Sequence, residues 1–177
     1  MIVSLGEALM DLIHGPGGAA PEARVGGSPY NVAIALSRLG VDAGFVCPFS
    51  TDDYGQRLAR VLEEEGVRRC VEEWVEAPTA TAEVFTDPSG HPSYVFRREG
   101  TADRALWERP PIDALPESLE VLHVGSLVLA QEGDWPAWRE AIAAARSRGV
   151  FIAFDPNLRV ALIDDMERYR SRLDEAV

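Results

Sequence analysis

Cysteine is nearly missing: among 177 residues only Cys47 and Cys70 carry thiols, and their spacing matches no metal-ligand pattern. That excludes a disulfide scaffold, and Cys47, inside an apolar run, reads as a buried thiol of a reducing compartment. Long apolar runs are missing as well. No segment approaches the roughly 20 residues that span a bilayer, so no membrane is expected as a partner. Met1-Ile2-Val3-Ser4-Leu5-Gly6 shows no basic stretch ahead of an apolar one, so no secretory signal is read there and the expected location is the cytoplasm. Positive charge is in deficit, with a formal net charge of -12. So acidic a surface repels phosphate backbones and argues against nucleic acid as a partner. An anionic ligand would need local arginine, backbone dipoles or a divalent ion. His14, His91 and His123 share no spacing with cysteine or carboxylates, so no metal site is expected. Internal repeats and low-complexity tracts are absent too. What remains, 46% hydrophobic and 26% charged residues, describes one soluble domain with a substantial core.

The apolar residues are grouped in short runs. Ile2 to Leu5 and Ala43 to Val46 read as buried strands, Leu119 to Val124 as a third ending at Gly125, and Val150 to Phe154 as a fourth. Helical spacing appears at Leu58, Val61 and Leu62 within Tyr54 to Glu65, closed by Gly66, and at Trp138, Ile142 and Ala145 within Asp134 to Arg148. Trp135 and Trp138 read as packing residues, and Glu63-Glu64-Glu65 as a solvated helix face. This alternation of strand and helix predicts an α/β fold with a parallel sheet covered on both faces. Two features break it. The Gly/Pro-rich stretch from His14 to Pro21 reads as an exposed loop. Thr81 to Phe85 and Ser93 to Phe96, around Asp87-Pro88-Ser89-Gly90, read as a β-hairpin. After Pro110-Pro111 the alternation resumes, then ends in a helix beginning at Asp164, with no strand to follow. The sheet is therefore expected to be incomplete, with an open or covered edge near Val150 to Phe154.

The richest stretch for chemistry is Gly26-Gly27-Ser28-Pro29-Tyr30-Asn31, which runs into Val32 to Leu39 and stops at Gly40. Paired glycines let a backbone approach a ligand closely. Ser28 is the expected N-cap and Pro29 the first helical residue. Free N–H groups at the helix start, with the Asn31 amide, make a donor cluster suited to a polyol or an anion. The spacing is not the G-x-G-x-x-G of a dinucleotide site.

This stretch resembles the first signature of the ribokinase-like, or PfkB, family of carbohydrate kinases. Ser50-Thr51-Asp52-Asp53-Tyr54-Gly55 is similar to that family's "GDDxFG" turn, with Ser50 where glycine is usual. Gly6-Glu7-Ala8-Leu9-Met10-Asp11 resembles its first strand and sugar-binding aspartate. Tyr94-Val95-Phe96-Arg97-Arg98 with Ala102-Asp103 resembles its lid hairpin and exit, and Asp155-Pro156-Asn157-Leu158-Arg159 its "DPNxR" element. The five elements fall in family order. The resemblance implies a three-layer α/β/α sandwich with a β-hairpin lid. The chain, 1–177, would be the amino-terminal, sugar-binding part, with lid segments near 12–25 and 68–102.

It also implies transfer of the γ-phosphoryl of ATP to a sugar hydroxyl with Mg²⁺ assisting, and a homodimer through the lid. Asp11, at the carboxyl end of a strand, Gly27 and Asn31 would meet sugar hydroxyls, with Gly26 allowing the approach. Arg98 is expected in the pocket in preference to Arg97, since neighbours on a strand face opposite ways. Arg159 would hold a substrate carboxylate or a nucleotide phosphate. Asn157 would lie near the nucleotide. Leu127 to Ala130 offers no chemistry. The family's "DTxGAGD" stretch, with its catalytic aspartate and γ-phosphate anion hole, does not occur, so no catalytic base is assigned and the 177-residue chain is expected to be inactive alone. Within the family the resemblance implies a fructokinase first and a 2-keto-3-deoxygluconate kinase second, the latter because Arg98 and Arg159 would both meet a carboxylate. A non-catalytic sugar-binding module is the reading from a different class.

Overall fold

Ile2–Leu5 forms strand β1, which ends where Gly6 turns the chain out of the core. The computed structural model describes residues 1–15, 18–86, 91–108, 112–130, 133–163 and 165–176. The chain continues through β2 (Leu9–His14) and β3 (Glu22–Gly26) into helix α1 (Ser28–Arg38), then β4 (Ala43–Val46) and the short β5 (Phe49–Ser50). Helix α2 (Asp53–Glu64) leads to two-residue strands β6 (Arg68–Arg69) and β7 (Trp74–Val75), and these to β8 (Thr81–Thr86) and β9 (Pro92–Arg97). A 3-10 segment, Ala102–Glu108, precedes β10 (Val121–Gly125) and a 3-10 turn at Ser126–Leu129. Helix α3 (Trp135–Ser147), β11 (Phe151–Asp155) and α4 (Met166–Ala176) complete the described chain.

The core is a parallel sheet in the order β11-β10-β1-β4-β6. Side chains alternate across it. Val3, Leu5, Leu122 and Val124 face α3 and α4, packing with Trp138, Ile142 and Tyr169. On the other face Phe45 packs with Tyr30, Ala33 and Ile34 of α1 and Leu58 and Leu62 of α2. That is the expected three-layer sandwich. Each fully buried leucine here, Leu5, Leu62 and Leu122 among them, contributes about 1.5–3 kcal/mol. Within the described chain β11 is an edge strand, and its Phe151 is 68% exposed.

A second sheet, ordered β3-β2-β8-β9, stands off the core as a ribbon. The expected hairpin is its β8–β9 half, antiparallel from Thr81↔Arg97 to Thr86↔Pro92, and the turn Asp87 to Gly90 lies outside the described residues. The ribbon is larger than the sequence suggested. Strand β2 pairs antiparallel with β3 and parallel with β8, so residues 9–14 and 22–26 are strand, and the loop between them is short. Of the segment 68–80, Arg68–Arg69 pairs with β4 of the core and Trp74–Val75 with β5, so that stretch lies outside the ribbon. The core strands set those pairings because they offer the nearer unpaired edges. The Pro110-Pro111 boundary and Asp164 also lie outside the described residues.

Asp52 ties the ribbon to the body. It is the N-cap of α2, with Oδ1 accepting from the Gly55 amide at 2.8 Å. The same carboxylate accepts from the Thr79 amide at 2.8 Å and the Thr79 hydroxyl at 2.6 Å, two residues before β8. Ser50, in place of the usual glycine, accepts the Asp52 amide on its hydroxyl at 3.0 Å, which closes the turn. Burial pushes the Asp52 carboxyl up, but the bonds from Thr79, Gly55 and Ser50 outweigh it and hold it below the ordinary range. A lowered carboxyl stabilises the fold above its unfolded pKa, and that contribution is lost as pH falls through the folded value. Asp52→Ala is expected to cost about 1–2 kcal/mol in urea unfolding at neutral pH, with the deficit shrinking in acid. An unchanged midpoint at pH 7 would contradict this role.

Candidate functional site

Beneath the ribbon lies a cavity of about 390 Å³. Its walls come from the segment after β1 (Glu7), the inner face of the ribbon (Leu9, Asp11, Tyr94, Phe96), the tip of α1 (Gly27, Ser28, Asn31), the turn after β10 (Ser126, Leu127) and the segment after β11 (Asn157, Arg159). Three of these sources are carboxyl ends of parallel strands, where open α/β sheets hold their ligands.

Asp11 sits mid-strand in β2, opposite Arg24 of β3 and Ala82 of β8. It was expected at the carboxyl end of the first strand. The chain instead leaves the core at Gly6 and carries Asp11 into the ribbon, because Leu9 to His14 finds a pairing partner on each side. Its carboxylate is half-buried, and among the described residues no donor bonds it. Burial pushes its carboxyl above the usual range. Gly26 is required next to it: a Cβ there would overlap Asp11 Oδ2 and stand 3.0 Å from Asp11 Cγ. Gly26 itself does not line the cavity; it makes room for the residue that does.

Helix α1 starts one residue earlier than expected. Gly27, at φ 107°, is the N-cap, with Ser28 at the first helical position and Pro29 at the second. The reason is a close approach: a Cβ on Gly27 would lie 2.5 Å from the Glu7 carbonyl oxygen. Capping falls to Glu7, whose Oε1 accepts the Ser28 amide at 3.2 Å and whose Oε2 accepts the Leu127 amide at 3.4 Å. Asn31, in the first turn of α1, presents its side chain to the cavity beside this tip.

Glu7 was not foreseen as part of the site. Burial pushes its carboxyl up, against the opposing pull of Arg98, its own backbone and a bond from Ser126. The signal in the sequence was its position, an acid directly after a core strand and its terminating glycine. Ser126, at φ 62°, and Leu127 were also missed; the apolar Leu127 to Ala130 run does contribute, through the Leu127 backbone.

Arg98 is a correction. It does not line the cavity, for its guanidinium is buried and bonded through Nε at 3.0 Å and Nη2 at 2.7 Å to Asp103 Oδ2. An arginine taken out of water needs a paired carboxylate, and Asp103, five residues on and also buried, supplies it. Arg104 is likewise committed to Asp134. Arg97 points outward to Glu83 at 2.7 Å.

Arg159 and Asn157 enter the cavity together. Asn157 has φ 34° and receives a bond from Arg159 Nη1 on its Oδ1 at 2.7 Å, while its amide bonds Asp155 at 3.0 Å. The residue expected near a nucleotide thus shares a wall with the one expected at the substrate. Histidine is kept out: His14 bonds Glu83 at 2.9 Å, and His123 bonds the Ser4 hydroxyl at 2.8 Å, itself committed to the Pro29 carbonyl. Among the described residues no group of three or more His, Cys, Asp or Glu could hold a metal ion.

The sequence pattern of the pfkB family carbohydrate kinases matches residues 1–177. The probable fructokinase-3 of Arabidopsis thaliana is 35% identical over 180 residues, taking in 98% of this chain and 52% of that protein. The crystal structure of fructokinase from Xylella fastidiosa superposes with a TM-score of 0.85 at 28% identity, covering 99% of this chain and 58% of that one. A fructokinase of Vibrio cholerae O395 bound to fructose, ADP and potassium ion gives a TM-score of 0.78 at 27% identity, over 99% and 56%. The chain spans about half the length of the curated relatives it matches.

Proposed function

The chain belongs to the pfkB family of carbohydrate kinases, and from that premise we propose that it is the sugar-binding part of a fructokinase, a phosphotransferase acting on a ketose hydroxyl. One observation carries the choice of ligand. Asp11 is a partly buried carboxylate at the cavity wall with no protein donor among the described residues. A carboxylate so placed is stabilised by hydroxyl donors, which a sugar supplies in number. With Glu7 the cavity holds two carboxylates against one cation, Arg159, which already serves Asn157. That balance favours a neutral ketose over a sugar acid. Gly27 and Asn31 would add contacts from the helix tip.

The 2-keto-3-deoxygluconate reading loses Arg98 to Asp103 and keeps only Arg159. Kinetics of the complete enzyme on both sugars decides between them. Fructose is expected to win by at least about 100-fold in kcat/KM, the worth of placing an anion between two carboxylates. Equal turnover of the acid, with Arg159→Ala abolishing that turnover alone, would favour the second reading.

The donor proposed is ATP, as the family premise implies. The described residues make no triphosphate cradle, since Arg98 and Arg104 are committed to carboxylates and Glu7 and Asp11 repel anions. Its binding groups, the Mg²⁺ it brings and the catalytic base are assigned beyond Val177, with Asn157 facing toward them. On this reading the 177 residues alone phosphorylate nothing, and purified chain showing ATP-dependent turnover would refute it. Two further parts of the proposal concern the setting. The ribbon leaves Phe85, Tyr94 and Val95 exposed and would pair with a second copy. The protein would work in the cytoplasm, consistent with a buried free thiol at Cys47 and no helix among the described residues able to cross a membrane.

A further inference from the structure

A second hollow, of about 480 Å³, lies between α2 and the β5–β7 pair and shares no lining residue with the sugar cavity. Gln56, Ala59, Arg60 and Glu63, spaced along one face of α2, form one side; Thr51, Arg69 and Trp74 form the other. The Arg69 guanidinium lies over two rings, 4.6 Å from the centroid of Trp74 and 5.3 Å from that of Phe49. Its Nε and Nη2 are shut off from water and have no acceptor. Those two nitrogens form the edge through which Arg24 grips Glu22 and Arg98 grips Asp103 elsewhere in this protein. An arginine edge removed from water and left without an acceptor is costly, and stacking on the rings offsets only part of that. No protein carboxylate completes it. The nearby Glu63 stays exposed at the rim, and Arg60 makes only a loose 3.9 Å pair with exposed Glu64.

We propose that this hollow binds a compact oxyanion, a phosphate or carboxylate group, with Arg69 as its anchor. Arg60 adds a second positive charge from α2. Gln56, whose amide now bonds the Thr51 carbonyl at 2.9 Å, adds a donor at the rim. Trp74 forms the apolar wall against which the carbon frame of an organic anion would lie. The assignment is independent of the sugar-kinase reading, because it uses none of the same side chains.

The test is titration of the protein with inorganic phosphate and, separately, citrate, against sodium chloride at matched ionic strength. Binding is read from the ¹⁵N-labelled Arg69 Nε–H resonance and from tryptophan fluorescence. Saturable shifts with one or both oxyanions and none with chloride are expected. Arg69→Gln should weaken the affinity at least tenfold, Arg60→Gln about threefold, and Glu63→Gln should tighten it. An equal response to chloride, or undiminished affinity in Arg69→Gln, overturns the proposal. Should Arg69→Gln fail to fold, the exposed Arg60→Gln and Gln56→Ala variants carry the decision, and unchanged affinity in both overturns it.

Discussion

Replacing Asp11 with Ala in the complete enzyme is expected to lower kcat/KM for fructose about 100-fold, equivalent to about 2.7 kcal/mol of lost transition-state binding. The size follows from the carboxylate's isolation. Because no protein donor bonds it among the described residues, its hydrogen bonds with sugar hydroxyls replace water alone, and each charge-assisted bond is worth about 1.5–3 kcal/mol. Folding should be little affected, since removing a partly buried, unpaired carboxylate leaves no orphaned donor behind. The pH dependence has a definite sign. Burial raises the Asp11 carboxyl, so its ionised, accepting form is lost on acidification earlier than for an ordinary aspartate. KM for fructose should climb as pH falls through that raised value, and the climb should flatten in Asp11→Asn. A loss below threefold in Asp11→Ala, with normal thermal stability, would remove Asp11 from the site.

The largest effect on stability is expected from Gly55→Ala. A Cβ there would overlap the Ser50 carbonyl oxygen and stand 2.7 Å from the Ser50 carbonyl carbon and 2.8 Å from its Cβ. Most of that is backbone, held by β5–β7 pairing and by the Ser50–Asp52–Thr79 bonds, so little can give way. We expect a loss of about 3 kcal/mol, a fall of roughly 6–12 °C in Tm for a domain of this size. Calorimetry checks it, and a Tm within 2 °C of the parent would show that the turn yields. The glycine that looked like a motif letter is a steric requirement where the first turn of α2 passes over β5.

What was legible in the sequence was what local patterning encodes. The core strands at Ile2 to Leu5 and Ala43 to Val46 appeared as short apolar runs, and the α3 face as Trp138, Ile142 and Ala145, because burial on one or both faces writes itself as a period. Gly27 and Asn31 were legible because a glycine-started helix tip is a local device. Strand β2 was less so, since Leu9-Met10-Asp11-Leu12-Ile13-His14 lacks alternation and its partners, β3 and β8, come from distant parts of the chain. Arg98 and Glu7 failed in opposite directions for one reason. The partner of a buried charge is chosen in three dimensions, so the arginine promised to the ligand went to Asp103 while a plain-looking glutamate came to hold the helix tip.

Asp11 and Asn31 belong to different bodies, one riding on the stand-off sheet and the other fixed to the sandwich. A molecule that touches both therefore bridges them and acts as a latch. By thermodynamic reciprocity, whatever tightens its grip also narrows the swing of the sheet, and whatever steadies the sheet must raise affinity by an equal factor. Selectivity for the right molecule and closure around it would then be one free-energy change, measurable from either side.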